Sequence, residues 1–178
     1  MEGIKKIVII GPECTGKSTL SQQLAGHYQT NWCPEYARDY LMDKGRDYHY
    51  DDLLNIAKGQ QSLEEKLITE AKNGLYFIDT NQYVMKIWCE IAFGQCHSWI
   101  LEQIAKNKYD LYLLCDTDIP WVADELREYP DTGFRHRLFL MYKDLLINNG
   151  TPWAEIHGQQ EERLKRGIEA IDEFLVKK

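Results

Sequence analysis

Residues 11–19 read Gly-Pro-Glu-Cys-Thr-Gly-Lys-Ser-Thr, a complete G-x-x-x-x-G-K-[ST] pattern. A match at all four defined positions arises by chance on the order of 1% of the time in a chain this long. The loop chemistry follows from geometry. Backbone N–H groups of Gly11, Glu13, Cys14, Thr15, Gly16, Lys17, Ser18 and Thr19 can converge on one anion at a helix N-terminus. Lys17 then reaches the β- and γ-phosphates, and the Ser18 hydroxyl ligates Mg²⁺. ATP and Mg²⁺ are therefore the expected cofactors. Glu13 is out of place in such a loop, because its carboxylate repels a triphosphate unless it is turned away.

Other polar residues gain meaning from what precedes them. Asp79 ends the apolar run Leu75-Tyr76-Phe77-Ile78, the usual position of a second Mg²⁺ ligand in a phosphate-loop site. Asp116 competes for that role, and Asp79 could instead cap the following helix. Glu35 follows the second apolar segment, where it can accept or orient the proton of an attacking hydroxyl, or simply open a surface helix with Arg38 and Asp39. Arg127 and Arg135 flank the turn-rich Glu-Tyr-Pro-Asp-Thr-Gly-Phe, with Arg137 just after. Mobile arginines there can close over the transferring phosphoryl group, or pair with surface acids. Gln60 and Gln61 lie beside an apolar helical stripe, where a buried amide reads a substrate or is satisfied by backbone. Trp88 can stack on a flat ring or belong to the core.

The elements that must position these residues alternate along the chain. Short β-branched or aromatic runs at 4–10, 30–33, 75–78, 111–115 and 153–156 predict five strands. Helical spacing predicts helices from near Lys17 through Tyr28, over about 50–72, through Tyr83–Ile87–Ile91, around Trp99–Ile104, over Phe134–Leu145 and over Leu164–Leu175. The expected fold is α/β: a five-stranded parallel sheet of the P-loop NTPase type, with helices on both faces and a short lid segment. Sites in such sheets collect at the strand carboxyl ends, where Glu35, Asp79, Asp116, Asp118 and His157 fall.

Composition agrees. The 178 residues suit one domain over 1–178, and a formal net charge of −7 argues against nucleic acid or anionic membrane as partner. The five cysteines are widely spaced and fit reduced thiols, without paired zinc-ligand spacing. No signal peptide or membrane-spanning stretch is apparent, so a cytoplasmic location is expected.

Several blocks carry a family resemblance. They are the phosphate loop, Pro34-Glu35-Tyr36-Ala37-Arg38-Asp39-Tyr40-Leu41, Ile56-Ala57-Lys58-Gly59-Gln60, Asp79-Thr80-Asn81, Lys86-Ile87-Trp88, Phe93-Gly94, Ile119-Pro120-Trp121, Leu126-Arg127 and Glu162-Arg163-Leu164. In this order they resemble the ribosylnicotinamide kinase domain of NadR-type proteins, across essentially the whole chain. The resemblance implies ATP-dependent phosphorylation of the 5′-hydroxyl of nicotinamide riboside. It puts Glu35 and Arg38 on the acceptor side, Asp79 between metal and acceptor, and Arg127 and Arg135 in the lid. The family often has Asp-Thr-Asp where Asp79-Thr80-Asn81 stands here. Its fused members carry adenylyltransferase and often DNA-binding domains not seen in this sequence, so the expected product is the mononucleotide. Kinases of other nucleosides and a non-catalytic ATP-binding regulatory module are the rival readings. If the chain is a kinase, Lys17→Ala is expected to lose at least ~100-fold in turnover without unfolding, measured by steady-state assay alongside circular dichroism.

Overall fold

Ile7, Val8, Ile9 and Ile10 are each completely buried, because they form the middle strand of a sheet covered on both faces. The computed structural model describes residues 3–45 and 47–176; the expected span 1–178 also includes positions outside these. Strands are β1 (Lys5–Ile10), β2 (Trp32–Cys33), β3 (Leu75–Asp79), β4 (Leu111–Cys115) and β5 (Trp153–Ile156). Helices are α1 (Lys17–His27), α2 (Tyr36–Lys44), α3 (Tyr50–Leu67), α4 (Gln82–Phe93), α5 (Ser98–Lys106), α6 (Thr132–Asn149) and α7 (Gln160–Val176). The strand order is β2-β3-β1-β4-β5, and every pairing between strands is parallel. The expected five-stranded parallel α/β sheet is therefore the observed one.

Side-chain alternation divides the core. Ile7, Ile9, Phe77, Leu111 and Leu113 pack with Leu20 and Leu24 of α1 and Ile171 and Phe174 of α7. Val8, Ile10, Tyr76, Ile78, Tyr112 and Leu114 face the other way, onto Tyr83 and Ile87 of α4 and Leu138, Phe139, Tyr142 and Leu146 of α6. This two-residue period is what a strand buried on both faces requires. A smaller cluster joins α2, α3, α4 and α5 through Leu41, Leu53, Ile56, Met85 and Ile100.

The topology also locates the site. The chain runs from β1 outward through β2 and β3 on one side, then returns to place β4 and β5 on the other. The strand order therefore reverses at β1, and the crevice at its carboxyl end is where such sheets bind ligands.

Two elements depart from the sequence-based expectation. Helix α2, with Glu35 as its N-cap, is the surface helix that Glu35 could open with Arg38 and Asp39; it is absent from the helices predicted by spacing because it buries only Ala37 and Leu41. Helix α3 stops at Leu67 rather than near Lys72, followed by a 3₁₀ turn over Ile68–Glu70. The Thr30 hydroxyl explains the exit: it accepts from Lys72 N at 2.8 Å and donates to Leu75 O at 2.6 Å, turning the chain into β3.

The core's energetics are directly testable. Phe77→Ala removes a fully buried ring and is expected to cost about 3–5 kcal/mol in urea denaturation. Leu140→Ala, at a half-exposed α6 position, is expected to stay within about 0.5 kcal/mol.

Candidate active site

The phosphate loop leaves β1 through a backbone that only glycine tolerates at its first position. Gly11 has φ +144°, and a Cβ there would lie 2.7 Å from the Cys115 carbonyl oxygen. Gly16, at φ 77°, is the N-cap of α1; no side chain caps the helix and its first turn holds no acid. The first-turn N–H groups thus remain available to an anion. The Thr15 hydroxyl donates to Pro12 O at 2.8 Å, and Lys17 Nζ donates to the same carbonyl at 2.9 Å. The lysine is held against the loop and largely buried.

Asp79 ends β3 with no exposed surface, and its Oδ2 is buried without a hydrogen-bond partner. Oδ1 accepts from the Thr80 hydroxyl at 3.3 Å. Burial, then the nearby Glu35 charge, push its pKa up to about 6, against the Lys17 charge and the Ser18 and Thr80 hydroxyls. Lys17, Ser18, Glu35 and Asp79 therefore meet electrostatically in one place. An orphaned carboxylate oxygen beside the loop's serine is a donor set that suits a hard divalent cation.

Capping does not explain Asp79. The N-cap of α4 is Asn81, whose side chain accepts from Tyr83 N at 3.0 Å and donates to the Tyr112 hydroxyl at 3.0 Å. The rival acids are engaged elsewhere. Asp116 accepts from Thr117 N at 2.6 Å, while Asp118 pairs with Arg163 and accepts from Gly158 N at 2.6 Å. His157 is exposed.

A cleft of about 260 Å³ opens beside the loop and reaches from Gly11–Thr19 to Glu35, Arg38, Tyr48, Trp88, Arg127, Glu128, Tyr129 and Tyr142. Trp88 Nε1 donates to the Tyr48 hydroxyl at 2.9 Å, with the rings edge to face at 5.1 Å. Tyr48 in turn donates to Glu128 Oε2 at 3.0 Å. Arg38 and Arg127 both pair with Asp124, at 3.2 and 3.3 Å, and Arg127 also donates to the Val122 carbonyl.

Two sequence-based assignments, Gln60 and Arg135, need correction. Gln60 does not face the cleft: it is buried, its Oε1 accepts from Tyr36 N at 2.8 Å, and its Nε2 donates to Pro34 O at 3.3 Å. It splints the turn on either side of Glu35, with Nε2 also donating to Cys33 Sγ at 3.3 Å, so both amide N–H groups are spent within the protein. Gln61 is also committed, donating to Glu65 at 2.8 Å and accepting from Asn107 at 2.7 Å. Arg135 is not a mobile lid residue. It lies 1% exposed on α6 and donates to the Cys14 carbonyl at 3.0 Å and the Ile119 carbonyl at 3.4 Å, bracing the loop from behind. Glu13 turns its carboxylate away from the converging N–H groups, toward the segment after β4.

A family model described as an AAA domain, AAA_28, matches residues 6–163. The chain belongs to this AAA_28 family. Among curated proteins, it is 28% identical over 177 residues to "Trifunctional NAD biosynthesis/regulator protein NadR" of Escherichia coli K12 and to its namesake in Salmonella typhimurium LT2. Each match covers 97% of this chain but 43% of the relative, so the chain spans less than half the length of either. A crystal structure of NadR protein in complex with NR has a TM-score of 0.79 at 23% identity, over 96% of this chain and 50% of that one. Thymidylate kinase from Ehrlichia chaffeensis has a TM-score of 0.68 at 16% identity, over 96% and 98% respectively, which extends the shared P-loop kinase fold. This AAA_28 chain is a P-loop domain related to NadR. No helix among its described residues is long and apolar enough to cross a membrane.

Sequence reasoning missed Tyr48, Asp124, Glu128 and Tyr142 as cleft residues. Only the turn-rich composition around Arg127 hinted at the second and third. Tyr142 sits on a helix whose pattern reads as core.

The buried Asp79 charge makes a stability prediction for this domain without nucleotide or metal. Its raised pKa means the folded state holds the proton more tightly than the unfolded chain. Its unfavourable contribution is absent below pH ~4, grows as pH rises, and is complete above pH ~6. Asp79→Asn is therefore expected to stabilise the protein at pH 7 by up to about 3 kcal/mol, with the gain fading toward pH 4. Urea denaturation of both forms at the two pH values checks it; destabilisation at pH 7 would mean that Lys17 makes the charge net favourable.

Proposed function

We propose that the chain transfers the γ-phosphoryl group of ATP to the 5′-hydroxyl of nicotinamide riboside, forming nicotinamide mononucleotide in cytoplasmic NAD salvage. The observation that carries this reading is one cleft lined by the phosphate loop, Glu35 and an aromatic wall amid carboxylates, with the buried Asp79 carboxyl close enough to Glu35 and Lys17 to feel both charges. In this reading the loop N–H groups and Lys17 hold the triphosphate and stabilise charge as it shifts toward the leaving phosphate. Ser18 and Asp79 would hold Mg²⁺, which when bound neutralises phosphate charge. Glu35 takes the proton of the 5′-hydroxyl as that oxygen bonds to the γ-phosphorus and the bond to ADP breaks. Arg127 is the lid cation, exchanging Asp124 for phosphate, and Arg38 borders the acceptor.

Substrate choice rests on charge. Nicotinamide riboside carries a pyridinium cation, and Tyr48, Trp88 and Tyr129 offer ring faces or edges beside Glu35, Asp124 and Glu128. The two nearby arginines share Asp124, and with Glu13, Glu35 and Glu128 also in the lining, four carboxylates face three cations, a balance that disfavours an anionic acceptor. The NadR structures in complex with NR and with NAD and AMP-PNP, which share this fold, support the same reading. The cleft would also admit an uncharged nucleoside, the second reading.

A riboside panel assayed with ATP and Mg²⁺ separates them. We expect kcat/KM for nicotinamide riboside to exceed that for uridine, cytidine and thymidine by at least ~10-fold, about 1.4 kcal/mol. Nicotinic acid riboside should be poorer because its carboxylate meets acidic lining. Equal activity on a pyrimidine nucleoside would overturn the riboside assignment while leaving a kinase.

A further inference from the structure

Glu13 is the phosphate-loop side chain that phosphate chemistry leaves without a use. Its Oε1 accepts from Trp121 Nε1 at 3.0 Å and from Tyr129 N at 2.6 Å, and its Oε2 accepts from Glu128 N at 3.0 Å. All three donors lie in the segment 117–131, which contains no helix or strand. The adjoining residue adds to the attachment. Cys14 Sγ accepts from Val122 N at 3.3 Å, and Arg135 joins the Cys14 and Ile119 carbonyls. With no ladder or helix of its own, the segment takes its shape from such long-range bonds and from a local turn in which Asp124 Oδ1 accepts from Leu126 N at 2.8 Å and Arg127 N at 3.0 Å.

The same segment supplies Leu126, Arg127, Glu128 and Tyr129 to the acceptor cleft. Glu128 donates its backbone N–H to Glu13, while its side chain accepts from Tyr48, which accepts from Trp88. A continuous path of hydrogen bonds thus runs from the phosphate loop to the aromatic wall opposite. The residue type fits the task. Three converging N–H donors require an acceptor-only group with two oxygens, and glutamine would turn an NH₂ toward one of them. Spending the carboxylate on these donors also keeps its charge off the phosphates.

We propose that Glu13 is a positioning residue for the acceptor, latching segment 121–129 to the phosphate loop and, through Glu128 and Tyr48, setting the aromatic wall at Trp88. The kinetic part rests on the riboside kinase reading; the latch itself does not. The path predicts that loss of Glu13 weakens use of the riboside rather than of ATP, although Glu13 belongs to the ATP loop.

The test compares the wild-type chain with Glu13→Ala, Glu13→Gln and Trp121→Phe, the last removing one donor without touching the loop. Amide hydrogen exchange is followed by mass spectrometry, and KM is measured for ATP and nicotinamide riboside. Glu13→Ala is expected to speed exchange across 121–129 by at least ~10-fold, with β1 and β3 unchanged. Riboside KM should rise at least ~10-fold while ATP KM stays within ~3-fold, with the glutamine and Trp121→Phe variants intermediate. Should Glu13→Ala not fold, Glu13→Gln and Trp121→Phe decide by the same readouts. Unchanged exchange in a folded variant, or a rise in ATP KM alone, would overturn the proposal. If the wild type phosphorylates no riboside, the kinase reading fails and exchange alone judges the latch.

Discussion

Negative charge crowded at the carboxyl end of β1 is the constraint around which this molecule is arranged. The loop there is shaped for a polyanion, yet Glu13 lies within it and Glu35 and Asp79 stand beside it. Each carboxylate is managed differently. Glu13 accepts from three N–H donors of the segment after β4, whereas Asp79 is buried with one oxygen unpaired and its pKa raised. Glu35 sits half-buried on a turn splinted by Gln60. Stability alone would not leave a buried carboxylate short of partners, which marks Asp79 as a candidate for function rather than packing.

The scaffold makes that arrangement possible because it is stiff where the charges are. Gly11 lets β1 turn within contact of the Cys115 backbone, and Arg135 braces the loop from below through the Cys14 carbonyl. The burden on Arg135 is structural: a buried guanidinium that holds two carbonyls has little freedom to follow a moving phosphate. The cations nearest the cleft mouth, Arg38 and Arg127, are instead tethered to Asp124, an exchangeable partner in partly exposed surroundings. The Asp124 side of the cleft is therefore more adaptable than the phosphate-loop side.

Features that depend on neighbours along the chain were legible in the sequence. The strand before the phosphate loop, the helix after it and the apolar run ending at Asp79 are local patterns, and all stand where periodicity put them. Helix α2 was only one alternative for the residues after Glu35 because two buried residues make no stripe, and the end of α3 was missed because a threonine hydroxyl from another segment redirects the chain. Gln60 was recognised as buried and polar, but its partners lie 24 and 26 residues away, so a backbone splint could not be told from a substrate contact.

The chain by itself determined the alternating α/β order, the phosphate loop, the lysine and serine within it, and the acid that ends β3. These follow from residue types at short spacing, where backbone geometry leaves few choices. Only the tertiary structure decided the strand order that puts β1 at the switch point, and the partners of Glu13, Arg135 and Asp124. Those partners lie 86 to 121 residues apart in several cases, across a segment without secondary structure. A side chain's role at that range is set by which donors folding brings to it, and no periodicity in the sequence encodes that.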